Sequence, residues 1–207
     1  MSSAPSLPLV LASASPRRRQ LLAAAGVPFE VRPADLPEEQ QPGESPRQLA
    51  ERLAAEKALH VARTLSAAPL RLVLGADTVV VLDGEALGKP DDAAHAVALM
   101  SRLVGRSHRV VTGVAVVGSD GGTPRVFSVE SEVHMRPAGE VEIRAYVATG
   151  ESLDKAGAYA AQGEGRRFID RIVGSESNVI GLPMDETLAL LREAGFPLPR
   201  PAARVPA

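Results

Sequence analysis

The sequence predicts an α/β fold: a mixed, twisted β-sheet with flanking helices, divided by a cleft into two lobes. Short runs of Val, Leu and Ile alternate along the 207 residues with Ala- and Leu-rich stretches of helical periodicity. Clusters of Gly, Pro, Ser and Asp separate these runs, as expected at turns between strands and helices. Such alternation is typical of α/β proteins, and the length favours one domain.

The first half of the chain is predicted to hold three strands and two helices. Ser15 and Pro16 supply an N-cap and a first-turn proline for a helix that ends at Gly26. Ser45-Pro46-Arg47-Gln48 forms a capping box at the start of a second helix, which continues to about Leu65. The predicted strands are Leu7–Ala12, Phe29–Arg32 and Arg71–Leu82, with a loop over residues 33–44 and a hairpin turn at Asp83-Gly84.

The second half alternates in the same way. Two long strand patterns flank a polar, Gly-rich turn at 118–123, and an irregular Gly-rich segment occupies residues 150–165. Residues 1–195 are expected to form a single domain, followed by a loose tail over 196–207 that contains four Pro. The predicted helices are Asp92–Val104, Glu140–Ala148 and Met184–Ala194, and the predicted strands are His108–Val117, Arg125–Met135 and Arg167–Val173.

Composition excludes several classes of protein. The chain has 23 basic and 25 acidic residues, a balance that argues against a protein that coats DNA or RNA. It has no Cys, and no apolar run reaches the roughly 18 residues that span a bilayer. The first positive charges follow the N-terminal apolar stretch, the reverse of a secretory signal. We therefore expect a cytoplasmic protein with neither a nucleic-acid nor a membrane partner.

Three consecutive arginines begin the first predicted helix, in the segment Ser13-Ala14-Ser15-Pro16-Arg17-Arg18-Arg19. A helix N-terminus carries a partial positive charge and free backbone N–H groups, so cations there are unfavourable unless an anion is bound. Hydroxyl and guanidinium groups also suit phosphate oxygens. We expect a polyanion site at this helix start; the alternative is that the arginine side chains extend into solvent, where screening makes the cost small.

An aspartate interrupts a strongly apolar strand in Gly75-Ala76-Asp77-Thr78-Val79-Val80-Val81. Burial of Asp77 is costly unless the carboxylate is paired or bound to a metal, which makes it a candidate functional group. The alternative is that it caps a turn at the end of the strand. Glu38 and Glu39 in the acidic loop are candidates for a second carboxylate, because one or two carboxylates plus substrate phosphates usually hold Mg²⁺. A solvated loop also explains these glutamates.

Lysine is rare in this chain. Of the 23 basic residues, 20 are Arg, and the exceptions are Lys57, Lys89 and Lys155. A compositional bias towards Arg explains the ratio itself. Lys89 and Lys155 lie in turn-rich segments near Gly, where loops present functional groups, and lysine is a compact point charge that differs from arginine in reach and donors. The three lysines are therefore candidate site residues.

Six segments, in this order and spacing, resemble the Maf family of nucleoside triphosphate pyrophosphatases. The resemblance covers about Leu9 to Gly195, and all three lysines lie within the segments. It implies the fold shared by Maf proteins and inosine triphosphate pyrophosphatases, and a homodimer. The segments are LASASPRR (11–18), EKA (56–58), GADTVV (75–80), GKP (88–90), DKAGAYAAQG (154–163) and GLP (181–183).

The resemblance implies an activity and a set of roles. Maf proteins hydrolyse nucleoside triphosphates between the α and β phosphates, giving a monophosphate and pyrophosphate, with a divalent metal such as Mg²⁺ or Mn²⁺. The family's general base corresponds to Asp77, and the metal would be held by Asp77 with Glu39, or with Glu38 given the uncertain loop length. Lys57 and Lys89 would assist catalysis, and the substrate would be bound by Ser13, Ser15, Arg17, Arg18 and Lys155.

Three positions indicate a branch of the family. Arg17, Thr78 and Gln162 match the branch that acts on dTTP and UTP, whereas the branch that acts on 7-methyl-GTP tends to have an aromatic residue, Gln and Glu there. We therefore expect a dTTP/UTP pyrophosphatase. The alternatives are the same reaction on modified or non-standard nucleotides such as 7-methyl-GTP, and a nucleotide-binding regulator of cell division. Asp77 favours catalysis, because binding a polyanion gains nothing from a nearby carboxylate.

Overall fold

The apolar runs form one seven-stranded sheet in the computed structural model, which describes residues 8–198. Six α-helices surround the sheet in this part of the chain, and two short 3₁₀ helices cover Ala156–Ala158 and Gly163–Phe168. The strands are β1 (Leu9–Leu11), β2 (Phe29–Val31), β3 (Leu72–Leu82), β4 (Glu85–Leu87), β5 (Ser107–Gly118), β6 (Arg125–Met135) and β7 (Ile169–Val173). The helices are α1 (Pro16–Ala24), α2 (Pro46–Ala62), α3 (Ala93–Leu103), α4 (Glu140–Val147), α5 (Glu176–Ile180) and α6 (Met184–Glu193).

Side-chain caps begin the helices where the sequence predicts them. Ser15 caps α1 by accepting a hydrogen bond from the Arg18 N–H at 3.4 Å, with Pro16 in the first turn. The predicted capping box is confirmed at α2, because Ser45 and Gln48 each accept a hydrogen bond from the other's backbone N–H. These caps satisfy N–H groups that the first turn of a helix leaves free.

The predicted mixed sheet is confirmed, with the strand order β2-β1-β3-β5-β6-β7 and β4 paired to β3. β1 is parallel to β2 and β3, and β3, β5, β6 and β7 are antiparallel to their neighbours. One edge of β3 pairs with β1 at residues 73–74 and with β4 at residues 80–82. Residues 75–79 of that edge have no strand partner within the described chain. Asp77 and Thr78 lie in this gap.

The core divides as a two-lobed fold predicts. Helices α1 and α6 cover one face of β1, β3 and β5, and α2 covers the opposite face. A separate apolar cluster is built from α3, α4, β4 and the far ends of β5 and β6. The gap in the β3 edge lies between these regions, so residues from both lobes reach it. None of the helices within residues 8–198 is long and apolar enough to cross a membrane.

Two glycines bring α2 unusually close to the sheet. A Cβ atom at Gly75 would lie 2.2 Å from the Ala54 carbonyl oxygen, and one at Gly113 would lie 2.2 Å from the Ala50 carbonyl oxygen. Any side chain at these positions would therefore push the helix away, because interiors are close-packed. Gly113 is the direct partner of Asp77 in the β3–β5 ladder. The contact consequently places α2 directly over Asp77.

The structure differs from the predicted elements at three places. Residues 163–168 form a 3₁₀ helix, so the last strand begins at Ile169 and not at Arg167. Glu176–Ile180 forms α5, where the sequence predicts only a turn rich in Gly and Ser. Phe196, the first residue of the predicted tail, is buried in the cluster around α1 and α6. Residues 199–207 of that tail, and Leu7 of the first predicted strand, lie outside the described residues.

Candidate active site

A cavity of about 620 Å³ opens at the gap in the β3 edge. This volume lies within the range of small-molecule sites. The lining comes from the β1–α1 turn, the acidic loop, α2, β3, the β4–α3 turn and the Gly-rich segment. Among its residues are nearly all of the predicted site residues: Ser13, Ser15, Arg17, Arg18, Glu38, Lys57, Asp77, Thr78, Lys89 and Lys155.

Lys57 joins two carboxylates at the centre of the cavity. Its Nζ donates to Asp77 Oδ1 at 2.6 Å and to Glu38 Oε1 at 2.6 Å. Lys89 Nζ donates to the second oxygen of Glu38 at 2.6 Å, so the four residues form one row of hydrogen-bonded charges. The Lys57 side chain is 7% exposed and that of Asp77 11%, whereas that of Lys89 is 54% exposed. This row of charges thus runs from the buried end of the cavity to its mouth.

The two carboxylates have opposite pKa shifts. Burial raises the pKa of Asp77, and this effect outweighs the opposing charges of Lys57 and Arg18. Burial also acts to raise the pKa of Glu38, but hydrogen bonds from Lys57 and Lys89 outweigh it and lower that pKa to about 2. Glu38 is therefore a fixed negative charge, and Asp77 binds a proton more readily than an ordinary aspartate. A raised pKa suits a carboxylate that accepts a proton near neutral pH.

Arg18 is fixed on the opposite face of β3 from Lys57. Its Nε donates to the Gly181 carbonyl at 2.8 Å, and its two terminal nitrogens donate to Ser13 Oγ at 3.0 Å and Thr78 Oγ1 at 3.1 Å. Burial lowers the pKa of Arg18, although the nearby Asp77 carboxylate opposes this. All three guanidinium nitrogens are bound to protein atoms, so Arg18 joins the β1–α1 turn to β3 and to the end of α5. Its contact with phosphate stays a prediction.

Arg17 and Lys155 complete the cationic lining. Within the described chain, Arg17 Nε is buried and has no hydrogen-bond partner. Lys155 donates to the Glu151 carbonyl and to the neighbouring Asp154 carboxylate. Both side chains line the cavity, and Arg17 thus offers a donor that a ligand can use.

Two predicted residues do not line this cavity. Glu39 lies in a separate shallow pocket beside Arg52, so Glu38 is the loop glutamate that faces Asp77 and Lys57. Gln162 is exposed beside Ala161, which does line the cavity. The proposed roles of Glu39 in metal binding and of Gln162 in specificity stay predictions.

Arg52 holds the acidic loop against α2, a contact that the sequence analysis missed. Its Nε and one terminal nitrogen donate to the two oxygens of Glu44 at 2.7 and 2.9 Å, and it also donates to the Glu39 carbonyl at 2.9 Å. The hydrogen bond with Glu44 raises the pKa of Arg52. Glu38 directly precedes this fastened segment, so Arg52 helps to position its carboxylate. The one sequence feature that indicates an ion pair for Arg52 is Glu56, which lies one helical turn later on α2.

The donor set suits a hard divalent cation that is bound partly through substrate. Residues 8–198 contain no group of three or more His, Cys, Asp or Glu arranged as a metal site. Asp77 and Glu38 nevertheless place two carboxylates within 2.6 Å of one ammonium group. Mg²⁺ is usually bound by one or two carboxylates, with waters and substrate phosphates as the other ligands. Asp77 and Glu38 are the residues that fit this role.

The sequence matches curated proteins over nearly its whole length. A dTTP/UTP pyrophosphatase of Anaeromyxobacter dehalogenans is 53% identical over 92% of this chain and 96% of that protein. One of Geobacter sulfurreducens is 48% identical over 90% of this chain and 96% of that protein. A solved nucleoside-triphosphatase, or dITP/XTP pyrophosphatase, of Mycobacterium abscessus aligns over 91% of this chain and 98% of that chain. Its sequence identity is 18% and its TM-score 0.43, which is too distant to inform the site. The family described as Maf-like protein matches residues 8–194, and the chain belongs to this family.

Proposed function

We propose that this chain hydrolyses dTTP and UTP to the monophosphate and pyrophosphate. The observation that carries the proposal is the position of Asp77, a buried carboxylate of raised pKa in a cavity lined with cations. A carboxylate in direct contact with a triphosphate would weaken its binding, whereas hydrolysis needs a general base. The substrates are those named for the curated relatives.

Asp77 is positioned to take a proton from water. Lys57 occupies Oδ1, and Oδ2 accepts no hydrogen bond from the described residues. In the proposed reaction a water oxygen bonds to the α phosphorus as its proton passes to Asp77 Oδ2. The bond from the α phosphorus to the bridging oxygen breaks, and pyrophosphate leaves with the bonding electrons. Lys57 holds the carboxylate in place during this transfer.

The charges of the cavity indicate the need for a cation. Five cationic side chains and four carboxylates line it, a net charge near +1. A triphosphate brings about four negative charges, so side chains alone leave most of that charge uncompensated. We propose that Asp77 and Glu38 hold Mg²⁺ or Mn²⁺ together with the phosphates. When bound, the metal supplies Lewis-acid stabilisation of phosphate charge. Lys89, Arg17 and Lys155 offset the charge on the leaving pyrophosphate.

A panel of triphosphates tests the proposal. Purified protein is incubated with Mg²⁺ or Mn²⁺ and dTTP, UTP, CTP, dATP, GTP or 7-methyl-GTP, and pyrophosphate release is measured. We expect dTTP and UTP to be the preferred substrates; a preference for a guanine nucleotide would overturn the substrate assignment. Tight binding without turnover would favour the nucleotide-binding regulator. The homodimer and the cytoplasmic location belong to the same proposal and are tested by light scattering and by cell fractionation.

The variant Asp77→Asn tests the role of the base. Loss of a general base costs on the order of 10²–10⁴-fold in rate, so dTTP turnover should fall by that factor while nucleotide binding persists. Asp170→Asn is the matched control, because Asp170 is exposed on β7, away from the cavity. Unchanged turnover in Asp77→Asn would show that another group accepts the proton.

A further inference from the structure

The Thr78 hydroxyl is held between a cation and a buried hydroxyl. Thr78 Oγ1 lies 3.1 Å from an Arg18 terminal nitrogen and 2.9 Å from Thr112 Oγ1. Thr112 is its direct cross-strand partner in the β3–β5 ladder and has no exposed surface. Thr112 Oγ1 in turn lies 3.0 Å from the Asn178 carbonyl oxygen of α5. One hydrogen-bonded series thus connects the cavity wall to α5.

The positions of the protons in this series follow from its end groups. A carbonyl oxygen can only accept, so the 3.0 Å contact between Thr112 and Asn178 requires the Thr112 proton. Thr112 then has only a lone pair for Thr78, so Thr78 must donate its own proton to Thr112. Arg18 can only donate, and it uses one of the two lone pairs of Thr78. Thr78 is left with a single lone pair for a ligand.

The inner end of the series is held rigidly. The Asn178 side chain donates to the Val110 carbonyl at 3.1 Å and to Ser131 Oγ at 2.9 Å, and it has no exposed surface. The Asn178 carbonyl also accepts from the Gly181 N–H at 3.0 Å. The Thr112 hydroxyl cannot rotate away from this fixed carbonyl without breaking a buried hydrogen bond. The Thr78 hydroxyl therefore faces the cavity as an acceptor and not as a donor.

We infer that Thr112 is a positioning residue for base selection: it fixes Thr78 as an acceptor for the N3–H of uracil or thymine. This inference rests on the proposed function. The imide N3–H is the one hydrogen-bond donor on the recognition edge of both bases, which otherwise presents carbonyl oxygens. Cytosine has a lone pair at N3, which would face the lone pair of Thr78. A site whose acceptor requires a donor on the ligand discriminates against a ligand with an acceptor at that position, because the buried group is then left without a hydrogen bond.

The first test removes the Thr112 hydroxyl and keeps its shape. In Thr112→Val the Thr78 proton has no internal acceptor and turns towards the cavity, so the preference for UTP over CTP in kcat/KM should fall by about tenfold or more. Thr112→Ser keeps the hydroxyl and should restore the preference. A purely structural role would lower both activities together, and an unchanged ratio in a folded Thr112→Val protein overturns the inference.

A double-mutant cycle and a modified substrate complete the test. In a Thr78→Val background, Thr112→Val should have no further effect on the UTP to CTP ratio, because no hydroxyl remains to reorient. An equal effect in both backgrounds would contradict the inference. N3-methyl-UTP lacks the donor and should be a poorer substrate than UTP for the unmodified protein, by about tenfold or more. Equal turnover of these two nucleotides overturns the inference without any variant, whereas failure of the proposed function would appear as no UTP turnover at all.

Discussion

Gly113→Ala should damage the site by displacing α2 from the sheet, although Gly113 itself does not line the cavity. The new Cβ would lie 2.2 Å from the Ala50 carbonyl oxygen, 2.4 Å from its carbon and 2.7 Å from the Glu51 nitrogen. These atoms are helix backbone, so no side chain can rotate away. Non-bonded heavy atoms are most stable at about 3.5 Å, so α2 must retreat by about 1 Å.

The retreat has two measurable consequences. Overpacking of a close contact costs about 1–3 kcal/mol, so the free energy of unfolding should fall by that amount or slightly more. Lys57 lies two turns beyond Ala50 on α2, and its Nζ sits 2.6 Å from Asp77 Oδ1. A displacement of about 1 Å in a positioned group costs on the order of 10²-fold in rate, so dTTP turnover should fall by about that factor.

Urea unfolding and steady-state dTTP hydrolysis measure the two effects. Gly122→Ala is the matched control, because Gly122 is exposed in the turn between β5 and β6 and a Cβ there meets only the Asp120 side chain, at an ordinary contact distance of 3.6 Å. It should retain both stability and turnover. If Gly113→Ala is as stable and as active as the control, then α2 does not depend on this contact to place Lys57, and the argument for the glycine is wrong.

Three further predictions concern charges. Lys57→Met removes the cation that opposes the effect of burial on Asp77, so the pKa of Asp77 should rise further. The acid limb of the pH profile of kcat/KM for dTTP should therefore move to higher pH. An acid limb that stays in place would exclude Asp77 as the titrating base. Burial and the nearby His134 lower the pKa of His108 from 6.5 to about 4, so the unfolded chain binds the proton first. The contribution of His108 to the free energy of unfolding should therefore fall by up to about 3 kcal/mol as the pH drops from about 6.5 to about 4. His108→Gln should remove the slope above about pH 5, where the carboxylates are still ionised, as urea titrations at each pH would reveal. Arg52→Ala frees the acidic loop and should lower kcat/KM for dTTP on the order of tenfold by displacing Glu38, whereas the exposed Arg32→Ala should leave it unchanged; equal activity of the two would mean that the loop is placed without Arg52.

Local chemistry made much of the fold predictable. The caps at Ser15 and Ser45 place side-chain oxygens on backbone N–H groups within one turn, and a sequence displays such short-range pairs directly. The long strands also stand out, because their apolar runs are bounded by turn residues. The five-residue α5 was missed since it is too short to show helical periodicity, and Gly and Ser surround it.

The site was predictable only where single residues are unusual. Asp77 in an apolar strand and lysines in an Arg-rich chain are exceptions to their surroundings. Thr112 is not, because threonine is common in strands and its role depends on register with Thr78, 34 positions away. The choice between Glu38 and Glu39 depends on the path of a loop without regular structure. Arg52 helps to set that path from α2, through contacts that no short-range sequence pattern displays.

The geometry also explains why lysine and arginine are not interchangeable at this site. Arg18 binds three acceptors that lie in different directions, and Arg52 binds both oxygens of one carboxylate; each uses the planar fork of a guanidinium group. Lys57 has the opposite task, because two carboxylates converge on one atom at 2.6 Å each. A guanidinium group spreads its charge over three nitrogen atoms, so it cannot present one compact charge to both carboxylates. A compositional bias towards Arg can therefore be accommodated at positions where the acceptors lie in different directions. Position 57 instead requires the compact charge of a lysine.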